Sequence, residues 1–220
     1  MDGPNGRSSL RGRPTCSTGA GSGPRIGEAM TATPELEVNA AAVLKPVGKH
    51  VLADMLEAYH EDAEAAHTAL PWLEADEDVR RQLRDMIYDI ETQNGVDSLH
   101  FWSIQTREQG TFAGLIGLGD ELQSLQADFN LGYWVRKSHR RQGLASDCVD
   151  AIFHWLEGRQ EPKTVEIVVH PHNEAGLATA SATCSRWGGE RLDEFIGIEF
   201  KGRTVPHALH LIDLGRGESA

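Results

Sequence analysis

The chain has 220 residues, 40% of them hydrophobic, and a formal net charge of −12. That length and apolar content suit one ordinary domain with a sizeable core, and no run is long and apolar enough to span a bilayer. The negative charge argues against nucleic-acid binding, which needs a basic surface to neutralise phosphates, and suits either cationic acceptors or life in high salt.

Residues 1–29 are rich in Gly, Ser, Pro and Arg, carry Arg7, Arg11, Arg13 and Arg25 against Asp2 and Glu28, and show no apolar period. Such a segment cannot repay its ordering entropy by burial. It reads as a disordered extension ahead of a single folded domain over 30–220, and it lacks the continuous apolar stretch of a secretory signal. Residues 36–47 read as a first strand ending at Lys45 and Pro46. Val51, Leu52, Met55, Leu56 and Tyr59 share one face of a helix over 49–67. Leu70, Pro71, Trp72 and Leu73 interrupt, and a second helix runs over 76–93 until Asn94 and Gly95 stop it. Strands over 98–106 and 111–118 flank the turn 107–110 as a hairpin.

The most informative stretch follows. Phe129, Leu131, Tyr133 and Val135 alternate with Asn130, Gly132, Trp134 and Arg136, which is strand periodicity. After a short basic loop, Leu144, Ala145, Cys148, Val149, Ile152, Phe153 and Leu156 recur at helical spacing until Gly158. The loop of Arg140, Arg141, Gln142, Gly143, Leu144 and Ala145 points backbone N–H groups and a helix N-terminus at a doubly charged phosphate. Gly143 admits a ligand that a Cβ would keep away. A glycine at a helix start and two loop arginines are each common. Strand, glycine loop and amphipathic helix in this order are the context that a pyrophosphate cradle requires. A Walker-type nucleotide site ranks low, since no Lys-Ser/Thr pair follows the glycine.

Residues 164–170 then alternate, with Val165, Ile167 and Val169 facing one way. A helix over 173–187 closes at Gly188 and Gly189, and strands over 191–199 and 204–213 end the domain. Cys16, Cys148 and Cys184 lie far apart without a C-x-x-C pair. That spacing suits a reducing cytoplasm and argues against a disulfide framework or a zinc site.

The spacing of Arg140, Gly143 and Ala145 after an aromatic strand resembles motif A of the GNAT acetyltransferases, and the order of elements resembles theirs. The match is finer still. Leu70-Pro71-Trp72-Leu73, the run from Leu131 to Val135, Val165-Glu166-Ile167 and Asn173-Glu174-Ala175 resemble the ribosomal-protein N-terminal acetyltransferases, the RimJ/RimL group, over residues 36–214. The resemblance implies an α+β GNAT fold, with a mixed sheet of about seven strands, splayed between the fourth and fifth, and about four flanking helices. It implies acetyl-CoA as co-substrate, no metal, an amine acceptor and, by family habit, a homodimer.

Carried over by position, Tyr133, Trp134 and Val135 would hydrogen-bond the pantetheine amides, and a backbone N–H there would face the thioester carbonyl. Residues Arg140, Arg141, Gln142, Gly143, Leu144 and Ala145 would hold the pyrophosphate, with Ser146 in reach. Asn173 matches an Asn that contacts the pantetheine arm; a plain helix N-cap is its other reading. The resemblance places a water-linked base at Glu199, followed by Phe200, where a solvated strand-end carboxylate is the alternative. Trp72 and Trp102 are expected to wall an acceptor pocket, although aromatic residues at such positions often belong to the core.

The reaction implied is direct attack of an amine on the acetyl carbon, with a protein N-terminal α-amine as acceptor, or else a small amine such as a polyamine, amino sugar or antibiotic. Two departures stand out. The family's Tyr in the last helix is missing, and the Ser three residues beyond the Asn is Gly176, so no general acid is assigned. Ser181, Cys184 and Ser185 lie later on that helix. These departures support a competing class, a non-catalytic CoA-binding module, against which the Glu199-Phe200 pair argues. His170 and His172 flank a proline without a third ligand at recognised spacing, which suits strand-end residues, then a helper base beside the cleft, and least a metal site. Glu57, Glu61, Asp62 and Glu64 fit either attraction of a basic acceptor or a solvated helix face.

Overall fold

The computed structural model describes residues 32–70, 72–93, 98–159, 161–200 and 203–215; of Phe200 it describes the backbone alone. The expected extension over 1–29 and the stop at Asn94 and Gly95 lie outside these residues. The first strand is divided into β1 (Leu36–Glu37) and β2 (Ala42–Pro46). Asn39 causes the break: its Oδ1 accepts the N–H groups of Ala41 and Ala42, and the strands fold back antiparallel.

The helix expected over 49–67 is a 3-10 turn leading into α1 (Leu52–Glu61), then α2 (Ala63–Ala69). Asp62 separates the two. Its backbone leaves the helical region (φ −163°, ψ 75°), and its Oδ1 accepts the Ala65 N–H as the N-cap of α2. Helix α3 (Val79–Gln93) is followed by β3 (His100–Thr106), β4 (Phe112–Gly119) and β5 (Phe129–Val135). Next come α4 (Leu144–Glu157), β6 (Lys163–Val169) and α5 (Glu174–Trp187). Gly188 closes α5 in the left-handed region at φ 72°. The two final strands expected are three: β7 (Glu190–Arg191), β8 (Ile196–Phe200) and β9 (Arg203–Leu214).

The sheet runs β1-β2-β3-β4-β5-β6-β9-β7, with β8 hairpinned on β9. Helices α1 to α3 cover one face through Met55, Ala66, Leu83 and Ile87, in one buried cluster with Phe112, Leu115 and Trp134. On the other face, Val149, Ile152 and Phe153 of α4 and Ala180 of α5 meet Ile116, Leu131, Val165 and Ile167.

The splay falls where the resemblance puts it, between β5 and β6, the fourth and fifth strands of the expected set. These two pair parallel only at Phe129 with Val165 and Asn130 with Glu166. Beyond that point β5 pairs with β4 and β6 with β9. Glu166 holds the base of the opening. Its carboxylate is fully buried and accepts the N–H groups of Gln123 and Ser124 and the Nδ2 of Asn130, each at 2.8 Å. Period-2 alternation set Glu166 opposite the core-facing Val165 and Ile167; the β4–β5 loop covers that face and buries it.

Candidate active site

The splay opens a cleft of about 570 Å³ with four walls. Tyr133, Trp134 and Val135 come from β5, and Ala65, Thr68 and Ala69 from α2. Arg140, Arg141, Gly143, Leu144, Ala145 and Ser146 come from the loop and α4, while His172, Asn173, Gly176 and Thr179 line the α5 side. Nearly all the residues expected to hold acetyl-CoA therefore share one cavity. Gln142 is the exception: its side chain is exposed, and its Nε2 donates to the Ser138 carbonyl at 3.4 Å.

The loop geometry fits an anion. Arg141 takes a positive φ of 60°, which costs a non-glycine residue about 1 kcal/mol. Gly143 follows at φ 75°, and a Cβ built on it would meet no protein atom within 4 Å, so this position opens onto the cleft. Helix α4 has no side-chain cap at Gly143. Its first N–H groups and the positive end of its dipole are directed at the loop, where a pyrophosphate fits.

Two arginines that lead into this loop, Arg136 and Arg140, are anchored by α1 and by Asp62 at the α1–α2 junction. Arg136 is 8% exposed; its Nε donates to Glu61 at 2.7 Å and its Nη2 to Glu57 at 2.6 Å. Arg140 donates from Nε to the Val135 carbonyl at 2.8 Å and from Nη1 to Asp62 at 2.7 Å. The hydrogen bond from Arg136 holds the Glu61 carboxyl below its ordinary range, and that from Arg140 does the same for Asp62. Glu57, Glu61 and Asp62 thus fix the cradle to the helices across the cleft rather than forming a free acidic face. The signal was present in the sequence as paired spacing: Glu57 and Glu61 four apart on the helix, Arg136 and Arg140 four apart beyond the strand.

Asn173 caps α5, its Oδ1 accepting the Gly176 N–H at 2.9 Å, and it also lines the cleft. Tyr133 sends its hydroxyl across the opening to the Gly176 carbonyl at 3.4 Å, and burial pushes its phenol pKa up. Burial also lowers His170, assisted by the neighbouring His207 and His172. Of these rings His172 lines the cleft, and His170 lies 5.3 Å from both His172 and His207 between centroids. Among the described residues no group of three or more His, Cys, Asp or Glu is arranged to hold a metal ion.

Other expected residues lie elsewhere. Trp102 is fully buried against His100 and Trp155, and its Nε1 donates to the Pro34 carbonyl at 2.7 Å. It is a core residue and walls no pocket, because the even positions of β3 face α4 rather than the acceptor side. Trp72 is 42% exposed on the loop after α2, outside the cavity lining. Glu199 is exposed on β8, also outside that lining, and its Oε1 accepts the Thr204 hydroxyl at 2.7 Å. Cys184 is buried in the core; Ser181 and Ser185 are exposed away from the cleft.

Comparison with known proteins agrees with this geometry. The family model described as the acetyltransferase (GNAT) domain matches residues 42–182. No curated protein matches the chain significantly. Among solved structures, RimL, the ribosomal L7/L12 α-N-protein acetyltransferase, in complex with coenzyme A is similar at 14% identity and a TM-score of 0.70, covering 84% of this chain and all of that one. A Salmonella typhimurium acetyltransferase that modifies the N-terminal serine of L7/L12 gives 14% identity and 0.63, with 81% and 98% covered. The microcin C7 self-immunity acetyltransferase MccE, solved with acetyl-CoA and AMP, gives 13% and 0.62, with 79% and 93% covered.

Proposed function

For this chain, which belongs to the GNAT acetyltransferase family, we propose that the acceptor is the α-amine of a protein N-terminus. The observation that carries the reading is the cleft itself, with the motif-A cradle at one end and β5 and α5 as its walls. Acetyl-CoA supplies the activated acetyl group. The chain's residues bind its pyrophosphate at the start of α4, orient its arm along β5 and exclude water from the thioester.

The choice of amine follows from proton affinity and from the RimL likeness. An α-amine titrates near ~7.8 and a lysine near ~10.4, so the lysine costs about 3.5 kcal/mol more to deprotonate at neutrality. A base acting through water suffices more easily for the α-amine. Glu199 is proposed as that base. Glu199 stands outside the cleft lining, so it would act on the amine through water, a role that suits an acceptor which already loses its proton readily. His172, which lines the cleft, and His170 beside it are the imidazoles to examine next.

Thiol release from acetyl-CoA, measured against peptides of varied N-terminal residue, N-acetylated control peptides, polyamines and aminoglycosides, tests the acceptor. Turnover confined to free peptide N-termini is expected; turnover confined to polyamines or aminoglycosides overturns it. Glu199→Gln should slow turnover most below pH 7 and leave acetyl-CoA affinity nearly unchanged. An unaltered pH profile would transfer the role to the histidines.

A further inference from the structure

Breaking a thioester leaves the bonding electron pair on sulfur, and the departing thiolate needs a proton or a hydrogen-bond donor. The position that the resemblance assigns to a serine is Gly176, and the structure shows why no side chain stands there. A Cβ on Gly176 would lie 2.7 Å from Asn173 Nδ2 and 2.9 Å from Val169 Cγ1. The hydroxyl arrives instead from the opposite wall. Tyr133 projects from β5, and its hydroxyl donates to the carbonyl of that same Gly176 at 3.4 Å. Among the described residues that line the cleft it is the single phenol; Thr68, Ser146 and Thr179 supply the other hydroxyls.

We propose that Tyr133 is the catalytic residue that protonates the leaving thiolate. This role rests on acetyl transfer at the cleft. The amine lone pair forms the new C–N bond and the carbonyl π pair moves to oxygen. As that pair returns, the C–S bond breaks and its electrons take the phenolic proton. The phenolate then recovers a proton that the former amine nitrogen gives up, so the thiol gains one hydrogen and the amine loses one. Burial keeps the phenol protonated at neutral pH before the step.

The test uses coenzyme A bound to the full chain and to Tyr133→Phe, which keeps the ring that packs against the core. The bound thiol is titrated by thiolate absorbance, and turnover is measured with hydroxylamine, an amine that needs neither acceptor recognition nor a base. Loss of the donor is expected to raise the thiol pKa by about one unit and to lower kcat at least about tenfold, with acetyl-CoA affinity changed less than about threefold. An identical thiol titration in wild type and Tyr133→Phe overturns the proposal, as does a variant that loses coenzyme A affinity in proportion to turnover. A shifted thiol titration without turnover on any peptide would instead sink the acceptor reading and leave the Tyr133 contact standing.

Discussion

At Gly143 a single hydrogen in place of a side chain decides whether the cradle works. The residue sits at φ 75° with open space where a Cβ would point. Gly143→Glu adds about 1 kcal/mol of backbone strain and directs a carboxylate at the pyrophosphate site. Acetyl-CoA affinity should fall by at least about hundredfold by calorimetry while the thermal transition remains cooperative; unchanged affinity would remove the cradle from this loop. Glu166 works by the opposite means, a buried carboxylate with three donors. Glu166→Ala leaves those donors unpaired and should cost about 3 kcal/mol or more in urea unfolding, with Glu166→Gln losing less. Equal stability of Glu166→Ala and wild type would mean that water satisfies all three. Cys148 contributes neither chemistry nor charge: burial pushes its thiol up to about 12.

At the scale of elements, the break between α1 and α2 is what lets the helical layer grip the cradle. Asp62 caps α2 with one oxygen and accepts Arg140 with the other. Asp62→Asn preserves the cap, since Asn serves equally there, and removes the ion pair alone. The sign follows from the lowered carboxyl. A group depressed in the folded state contributes stability above its unfolded pKa of about 3.9, and that contribution is lost as pH falls through the folded value. Wild type should therefore exceed Asp62→Asn in stability at pH 7, with the gap closing below about pH 4. A gap independent of pH would assign the loss to packing instead.

For the whole molecule, the described fold begins to make core contacts at Thr33 and Pro34, whose Oγ1 and carbonyl meet His100 and Trp102. The composition of residues 1–29, with no apolar period, supplies little apolar surface for burial. Their removal is expected to shift the thermal midpoint by less than about 2 °C, whereas a cut after Pro34 strips the buried Trp102 N–H of its acceptor and should lower it by several degrees. A large shift from the shorter deletion would show that the basic segment docks on the acidic domain.

The sequence by itself determined the order of the elements and the buried face of α4 and β6, and it marked residues 140–146 as the expected cradle, because 2.0- and 3.6-residue periods and glycine punctuation are local signals. It divided the chain too coarsely where single polar side chains, Asn39 and Asp62, turn the backbone by bonds of their own. The tertiary structure alone decided that Trp102 is core, that Glu166 marks where the sheet opens, and that Glu57, Glu61 and Asp62 belong to the cradle. It also carried the Tyr133 hydroxyl to α5. Those contacts join residues 36 to 79 positions apart, and only packing of the two helical layers against one splayed sheet brings them within a hydrogen bond of each other.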